Sequence, residues 1–185
     1  SSRFSCSDPR LEKIYSIALD TLALNTREFF LDGIKRDRWL WAGDAYQSFL
    51  MNYYSFFDLK TARRTMIALA GKPPILHFMN QIMEYSFYWI IGLYDYYMYT
   101  GDLFFLRRML PTAKRIIEFS HTRKTADGLL EGKEGDWVFV DWANLDNRGE
   151  VSAENIIYLK ALDTVAKPCG LLGEDASAYA QEYEE

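Results

Sequence analysis

The stretch 84–99 most constrains what this chain can become. Apolar side chains lie on nearly every side of it, through Phe87, Trp89, Ile90, Ile91 and Leu93, and that pattern predicts a helix that must be buried. Such a helix needs other helices around it, and the rest of the chain predicts them. Ser7-Asp8-Pro9 reads as an N-cap with proline in the first turn, and Leu11, Ile14, Tyr15, Ala18 and Leu22 then repeat at helical spacing, predicting a helix over 9–25. A second is expected over 43–54, and Asp58 caps a third that ends at Ala70 before Gly71-Lys72-Pro73-Pro74.

Beyond the apolar segment, Thr100-Gly101-Asp102 supplies a stop and a new cap, and Leu103, Leu106, Leu110, Ile116, Ile117 and Phe119 carry a fifth helix to about Thr122, with Pro111 as an expected kink. The pattern then changes. Asp127-Gly128 and the glycines at 132 and 135 punctuate a segment whose Trp137-Val138-Phe139-Val140 favours extended structure, so a small β-hairpin is expected near 127–142. Ser152 is expected to cap a sixth helix that ends before Pro168, and Glu174 or Asp175 to start a seventh. Seven helices with short connections and no short repeated motif indicate an all-α array of helical hairpins rather than a solenoid. Helices apolar on several faces call for more neighbours than 185 residues provide, which suggests one segment, 1–185, of a larger helical domain; the alternative is a complete small bundle with a frayed end.

Charge excludes several functions. With 21 basic and 26 acidic residues the net charge is −5, and no Lys/Arg block forms the stripe that a phosphate backbone requires, so no nucleic-acid partner is expected. The longest mainly apolar stretch, 86–93, is far below the roughly 20 residues that span a bilayer, so no membrane partner is expected either. Cys6 and Cys169 stand alone, giving neither a disulfide framework nor a zinc site. No basic segment followed by an apolar run opens the chain, so no signal peptide reads from it. Aromatic content is high instead: 13 Tyr, 12 Phe and 5 Trp provide large flat surfaces that fill cores, stack on sugars or enclose apolar ligands.

Chemistry concentrates in one place. Over 32–44 the run Asp-Gly-Ile-Lys-Arg-Asp-Arg-Trp-Leu-Trp-Ala-Gly-Asp packs Asp32, Asp37 and Asp44 with Lys35, Arg36, Arg38, Trp39 and Trp41. Most of it reads as loop, so the carboxylates can converge without obeying a helical period. Carboxylates beside tryptophans and arginines separate a desolvated proton donor from an ionised charge stabiliser, the division of labour that glycoside hydrolysis uses. The alternative is a solvated loop of Arg-Asp pairs contributing little, with Trp39 and Trp41 in the core.

The run Asp32-Gly-x-Lys-Arg-Asp37-Arg-x-x-Trp41-x-Gly-Asp44 resembles the signature of the α-L-rhamnosidases of glycoside hydrolase family 78. Phe4-Ser5-Cys6-Ser7-Asp8, Tyr85-Ser86, Asp95-Tyr96-Tyr97, Tyr99-Thr100-Gly101-Asp102 and Asp141-Trp142 extend the resemblance in order along the chain. It implies a six-hairpin (α/α)6 barrel, of which this chain is about the N-terminal half, and an inverting hydrolase of rhamnosides. By position the resemblance makes Asp37 the general acid. It assigns Asp32, Arg36 and Asp44 to the sugar, with Trp41 as a wall of the pocket, and adds Tyr85, Asp141 and Trp142 as further sugar contacts. Many relatives have Glu where Asp37 stands, one methylene longer. The family's general base is a Glu in the second half of the barrel, so the segment is expected to need the rest of its parent chain and to be inactive alone. Acid-base chemistry suffices for the reaction, so no metal or cofactor is called for.

Core filling is the competing role for Tyr85 and Trp142, and His77 and His121 are expected to be structural. Three other readings compete with a rhamnosidase. A six-hairpin glycosidase for another sugar and an inactive carbohydrate-binding relative both share the fold. A terpene cyclase or prenyltransferase needs aspartate clusters on one helix face, and no two aspartates are adjacent anywhere in this sequence.

Overall fold

The computed structural model describes residues 3–35, 37–140 and 142–185. Its described residues are all-α, with seven helices and isolated β-bridges only. They fall into two compact units, Ser1–Leu69 and Ala70–Glu185.

The first unit holds α1 (Pro9–Asn25), α2 (Ala42–Tyr53) and most of α3 (Leu59–Ala70). Asp8 caps α1 by accepting from the Arg10 N–H at 2.9 Å, with Pro9 in the first turn where a missing N–H costs nothing. Asp58 caps α3 by accepting from the N–H groups of Lys60 and Thr61. Hydrogen bonds to Asp58 from Thr61 and Lys60 hold its carboxyl below the usual range against the opposing effect of burial. Phe30 and Phe49 meet edge to face at 5.8 Å in the core, and the Phe30 N–H donates to the Thr65 hydroxyl, tying the loop after α1 to α3.

The second unit is built on α4 (Met83–Thr100), with α5 (Leu103–Ser120), α6 (Ser152–Leu172) and α7 (Ser177–Glu184). The burial expected of the apolar helix is present: Phe87, Trp89, Ile90, Ile91 and Leu93 are all buried. α4 packs on both α5 and α6, and the Phe87 and Tyr158 rings lie 5.2 Å apart between α4 and α6. Gly101 ends α4 in the left-handed conformation at φ 69, and Asp102 caps α5 by accepting from Phe105 N–H. α7 is held by Glu182, whose carboxylate accepts from Tyr158 Oη, His121 and Lys124. His121 therefore has a carboxylate partner that its sequence neighbourhood does not reveal.

Four expectations need correction. α6 runs through Pro168 to Leu172 and stops at left-handed Gly173. Pro168 and its neighbour Cys169 are buried, and packing of α6 on α4, α5 and α7 outweighs the one backbone bond that proline removes. Ser152 is the first helical residue rather than the cap, which is Val151. α7 starts at Ser177, because Asp175 accepts from the Ser177 N–H and holds the preceding turn. The segment 124–142 forms no named strand among the described residues. Its turn, with Gly128 at positive φ, closes through a single antiparallel bridge, Lys124 to Leu130, whereas Trp137 bridges in parallel to Ile82 and makes its backbone bonds to residues 81 and 83 instead of to a hairpin partner.

Candidate functional site

Residues 32–44 form a loop running into the first turn of α2. Asp32 closes that loop on itself: its N–H donates to the Trp39 carbonyl at 3.2 Å and its Oδ1 accepts from the Trp39 N–H at 2.8 Å. Between those anchors Asp37 and Arg38 both lie in the left-handed region, at φ 48 and 51. Two consecutive non-glycine residues there are uncommon, each costing about 1–3 kcal/mol, and such strain concentrates at functional sites. Asp37 is exposed and Asp32 half-buried.

Trp41 is the half-buried N-cap residue of α2, and Asp44 lies in that helix's first turn. A carboxylate there faces the positive end of the helix dipole. The structure thus gathers Asp32, Asp37, Trp41 and Asp44 on one short loop and helix start. It gives Asp32 a local role in holding the loop that the sequence did not predict. Arg36, assigned to the sugar by resemblance, lies outside the described residues, as does Asp141.

In the second unit Tyr85 and Trp142 belong to one aromatic cluster. The Tyr85 ring meets Phe139 edge to face at 6.2 Å; Phe139 meets Trp142 at 5.0 Å and Trp137 at 5.4 Å; Trp137 and Trp142 are 5.9 Å apart. The Trp137, Phe139 and Trp142 rings, with Leu145 and Asn147, line a hollow of about 200 Å³, and Tyr85 reaches it through its contact with Phe139. Trp142 is 83% exposed, so core filling is not its role in this chain. A cluster of exposed aromatic faces beside an open hollow suits the apolar face of a sugar ring.

Long-range contacts pin that segment. Trp137 N–H donates to Gln81 O at 2.8 Å and Met83 N–H to Trp137 O at 3.2 Å. One residue earlier, Arg123 grips Asp136 with two bonds, Nε to Oδ2 at 2.5 Å and Nη2 to Oδ1 at 2.9 Å, while its guanidinium lies 4.8 Å from the centre of the Phe119 ring. The Asp136 side chain is 3% exposed. Burial raises its pKa, but the bonds from Arg123 and the Lys133 N–H overcome this and hold the carboxyl below the usual range.

Beside the hollow lies a second acidic feature. Glu84 opens α4, Glu154 opens α6, and each is only 3% exposed. Burial pushes the Glu154 carboxyl up to about 10, reinforced by the neighbouring Glu84 and, more weakly, by Asp136. Burial also raises Glu84, which accepts from Glu154 and, at 3.4 Å, from the Phe139 N–H. Sequence reading missed both. Glu154 shares its helix face with the buried Tyr158, Ala161 and Val165, and an acid on a core face was the available signal. It also missed Trp137 and Phe139 as ring partners, although their alternate spacing puts both on one side of an extended segment.

Among the described residues no group of three or more His, Cys, Asp or Glu is arranged to hold a metal ion, and no helix is long and apolar enough to cross a membrane.

A family model described as the bacterial α-L-rhamnosidase six-hairpin glycosidase domain matches residues 1–185. Among solved structures, a rhamnosidase from Klebsiella oxytoca with rhamnose bound is 28% identical at a TM-score of 0.82, over 99% of this chain and 38% of that one. A GH78 family rhamnosidase of Bacillus sp. GL1 is 25% identical at a TM-score of 0.88, over 97% of this chain and 20% of that one. The chain therefore spans 38% and 20% of the lengths of these two proteins. No curated protein matches it. The helical fold is that of about half of a six-hairpin barrel.

Proposed function

The chain belongs to the bacterial α-L-rhamnosidase six-hairpin glycosidase family, and on that premise we propose that it is the N-terminal part of an (α/α)6 catalytic barrel whose full-length protein hydrolyses terminal α-L-rhamnosides with inversion. The rest of the parent chain is then its necessary partner, and a rhamnoside its substrate.

In this reading Asp37 is the general acid, protonating the departing glycosidic oxygen. A carboxylate elsewhere in the parent chain activates water on the opposite face of the sugar, roughly 6.5–9.5 Å away, to leave room for that water. Asp44, Arg36 and Asp32 hold the sugar's hydroxyls, and Trp41 walls the pocket. Tyr85, Asp141 and Trp142 provide further contacts, Trp142 facing the apolar side of a deoxy sugar. Together with the family match over the whole chain, one observation carries the proposal: two consecutive left-handed residues, Asp37 and Arg38, sit on a loop that Asp32 closes. Backbone strain kept at an exposed acid is what a reacting group shows. The sequence signature runs through these same residues.

The test is turnover of a nitrophenyl α-L-rhamnoside by the full-length protein and by its Asp37→Asn variant, beside nitrophenyl glycosides of other sugars. A general acid contributes about 10²–10⁴-fold, and a loss of that size at Asp37→Asn, with β-rhamnose the first product seen by NMR, supports the proposal. Unchanged turnover in the variant removes Asp37 as the acid. Faster cleavage of a different glycoside assigns the protein to another sugar, and rhamnose binding without turnover in the parent marks an inactive carbohydrate-binding relative.

A further inference from the structure

We propose that Glu84 and Glu154 form a proton-sharing clasp that sets the position of the Trp137–Phe139–Trp142 hollow, making them positioning residues for the sugar ring received there. The inference rests on the sugar-binding reading above for its ligand, but not for the clasp itself.

The pair is built into the molecule. The two carboxyls come from the first turns of α4 and α6, are hydrogen-bonded to each other, and have buried Oε1 atoms without a hydrogen-bond partner. They line a cavity of about 70 Å³ with Tyr85, Tyr88, Phe139 and Val140. Phe139 and Val140 also line the aromatic hollow. Among the described residues no lysine or arginine lines the smaller cavity. Of the described residues, the charged or titratable groups facing the pair are Tyr85, which lines the same cavity, Tyr88, which feels both glutamates, and Asp136, which already belongs to Arg123.

Two ionised carboxylates in that setting repel each other, and among the described residues no cation relieves them, so one must keep its proton. A bond between two carboxyls also needs one of them to donate. The protonated partner is Glu154, and Glu84 keeps the negative charge. That charge holds the Phe139 backbone N–H, and Phe139 is the ring through which Tyr85, Trp137 and Trp142 meet. Ionisation of Glu154 breaks the bond between the helices, and loss of Glu84 frees the centre of the ring cluster.

The experiment uses the full-length protein. Infrared difference spectra at about pH 8 are expected to show a protonated carboxyl band that Glu154→Gln removes. Glu154→Leu is expected to weaken rhamnose binding, read by tryptophan fluorescence, by about tenfold, while Glu154→Gln, whose amide donates where the acid did, recovers most of that loss. Glu84→Ala is expected to raise KM for the rhamnoside with a smaller change in kcat and to alter the near-UV circular dichroism of the tryptophans. Absence of the band, Gln as damaging as Leu, or unaltered tryptophan signals in Glu84→Ala would overturn the clasp. A parent protein that binds no rhamnose defeats the sugar reading alone, and the band and the near-UV signal still decide the clasp.

Discussion

The loop of the first unit and the aromatic segment of the second keep their shapes by opposite means. The loop 32–39 is short, polar and exposed at Asp37, closed by two bonds between Asp32 and Trp39, and strained at two adjacent residues. The segment 136–142 is aromatic and has its anchors far away in sequence: Arg123 on Asp136, Glu84 on Phe139, and backbone bonds to 81 and 83. The first region holds Asp37, the proposed acid, on local bonds that each contribute little. The second holds the proposed sugar-facing rings on buried charge, where the loss of one partner is severe. A protein built this way is expected to tolerate change in its acid loop far better in stability than in activity, and to show the reverse at the anchors of its aromatic hollow.

The strongest way to break that comparison is at Asp136. Asp136→Ala takes the buried carboxylate away from the half-buried Arg123, which keeps Thr122 and the Phe119 ring, and removing one partner of a buried pair costs up to about 3–5 kcal/mol. Denaturant unfolding of the full-length protein is expected to show a loss of that size or a separate early transition. An effect under about 1 kcal/mol, the size of a surface pair, would show that the segment is not held as described.

A second difference sharpens the contrast between the acids themselves. Glu154 has its folded value raised to about 10, so its contribution to stability is fully present below the ordinary glutamate value of about 4.3 and is lost as pH rises toward its folded value. Asp136 has its value lowered; its contribution is present above the ordinary aspartate value and is lost as pH falls below it. Thermal melts across pH should therefore show Glu154→Gln gaining on the wild type progressively as pH rises from about 4.3 toward about 10. Parallel profiles for the two proteins would contradict the raised value.

Asp32→Ala should have the smallest effect on stability. It removes one exposed side-chain to backbone bond, a loss of about 0.5–1.5 kcal/mol in unfolding experiments. Turnover is expected to fall much further, because the loop then no longer holds Asp37 in its left-handed conformation. Equal, small effects on both would place Asp32 outside the site.

This difference between the regions also decides what could be read from the sequence. Helix positions follow from local signals, so α1 with its Asp8 cap, α3 with Asp58 and α5 with Asp102 stand where capping and periodicity put them. Pro168 misled because proline's local penalty is smaller than the packing of the buried face around Tyr158, Leu162 and Val165. The loop 32–44 stands out in the sequence because its charged residues are contiguous. The aromatic hollow was half legible: Tyr85 and Trp142 were singled out, but the residue joining them, Phe139, belongs to a segment whose partners lie more than 50 positions away at Glu84 and Tyr85. The pairing of Glu84 with Glu154 has no local signature at all, since it exists only once α4 and α6 pack together.

The most direct test of the central claim is a structure of the full-length protein with rhamnose bound. It is predicted to show the Asp37 carboxyl at the anomeric carbon, a second carboxylate roughly 6.5–9.5 Å from it across the ring, and the sugar's apolar face against the tryptophans. Rhamnose bound elsewhere, with Asp37 still turned into solvent, would contradict it.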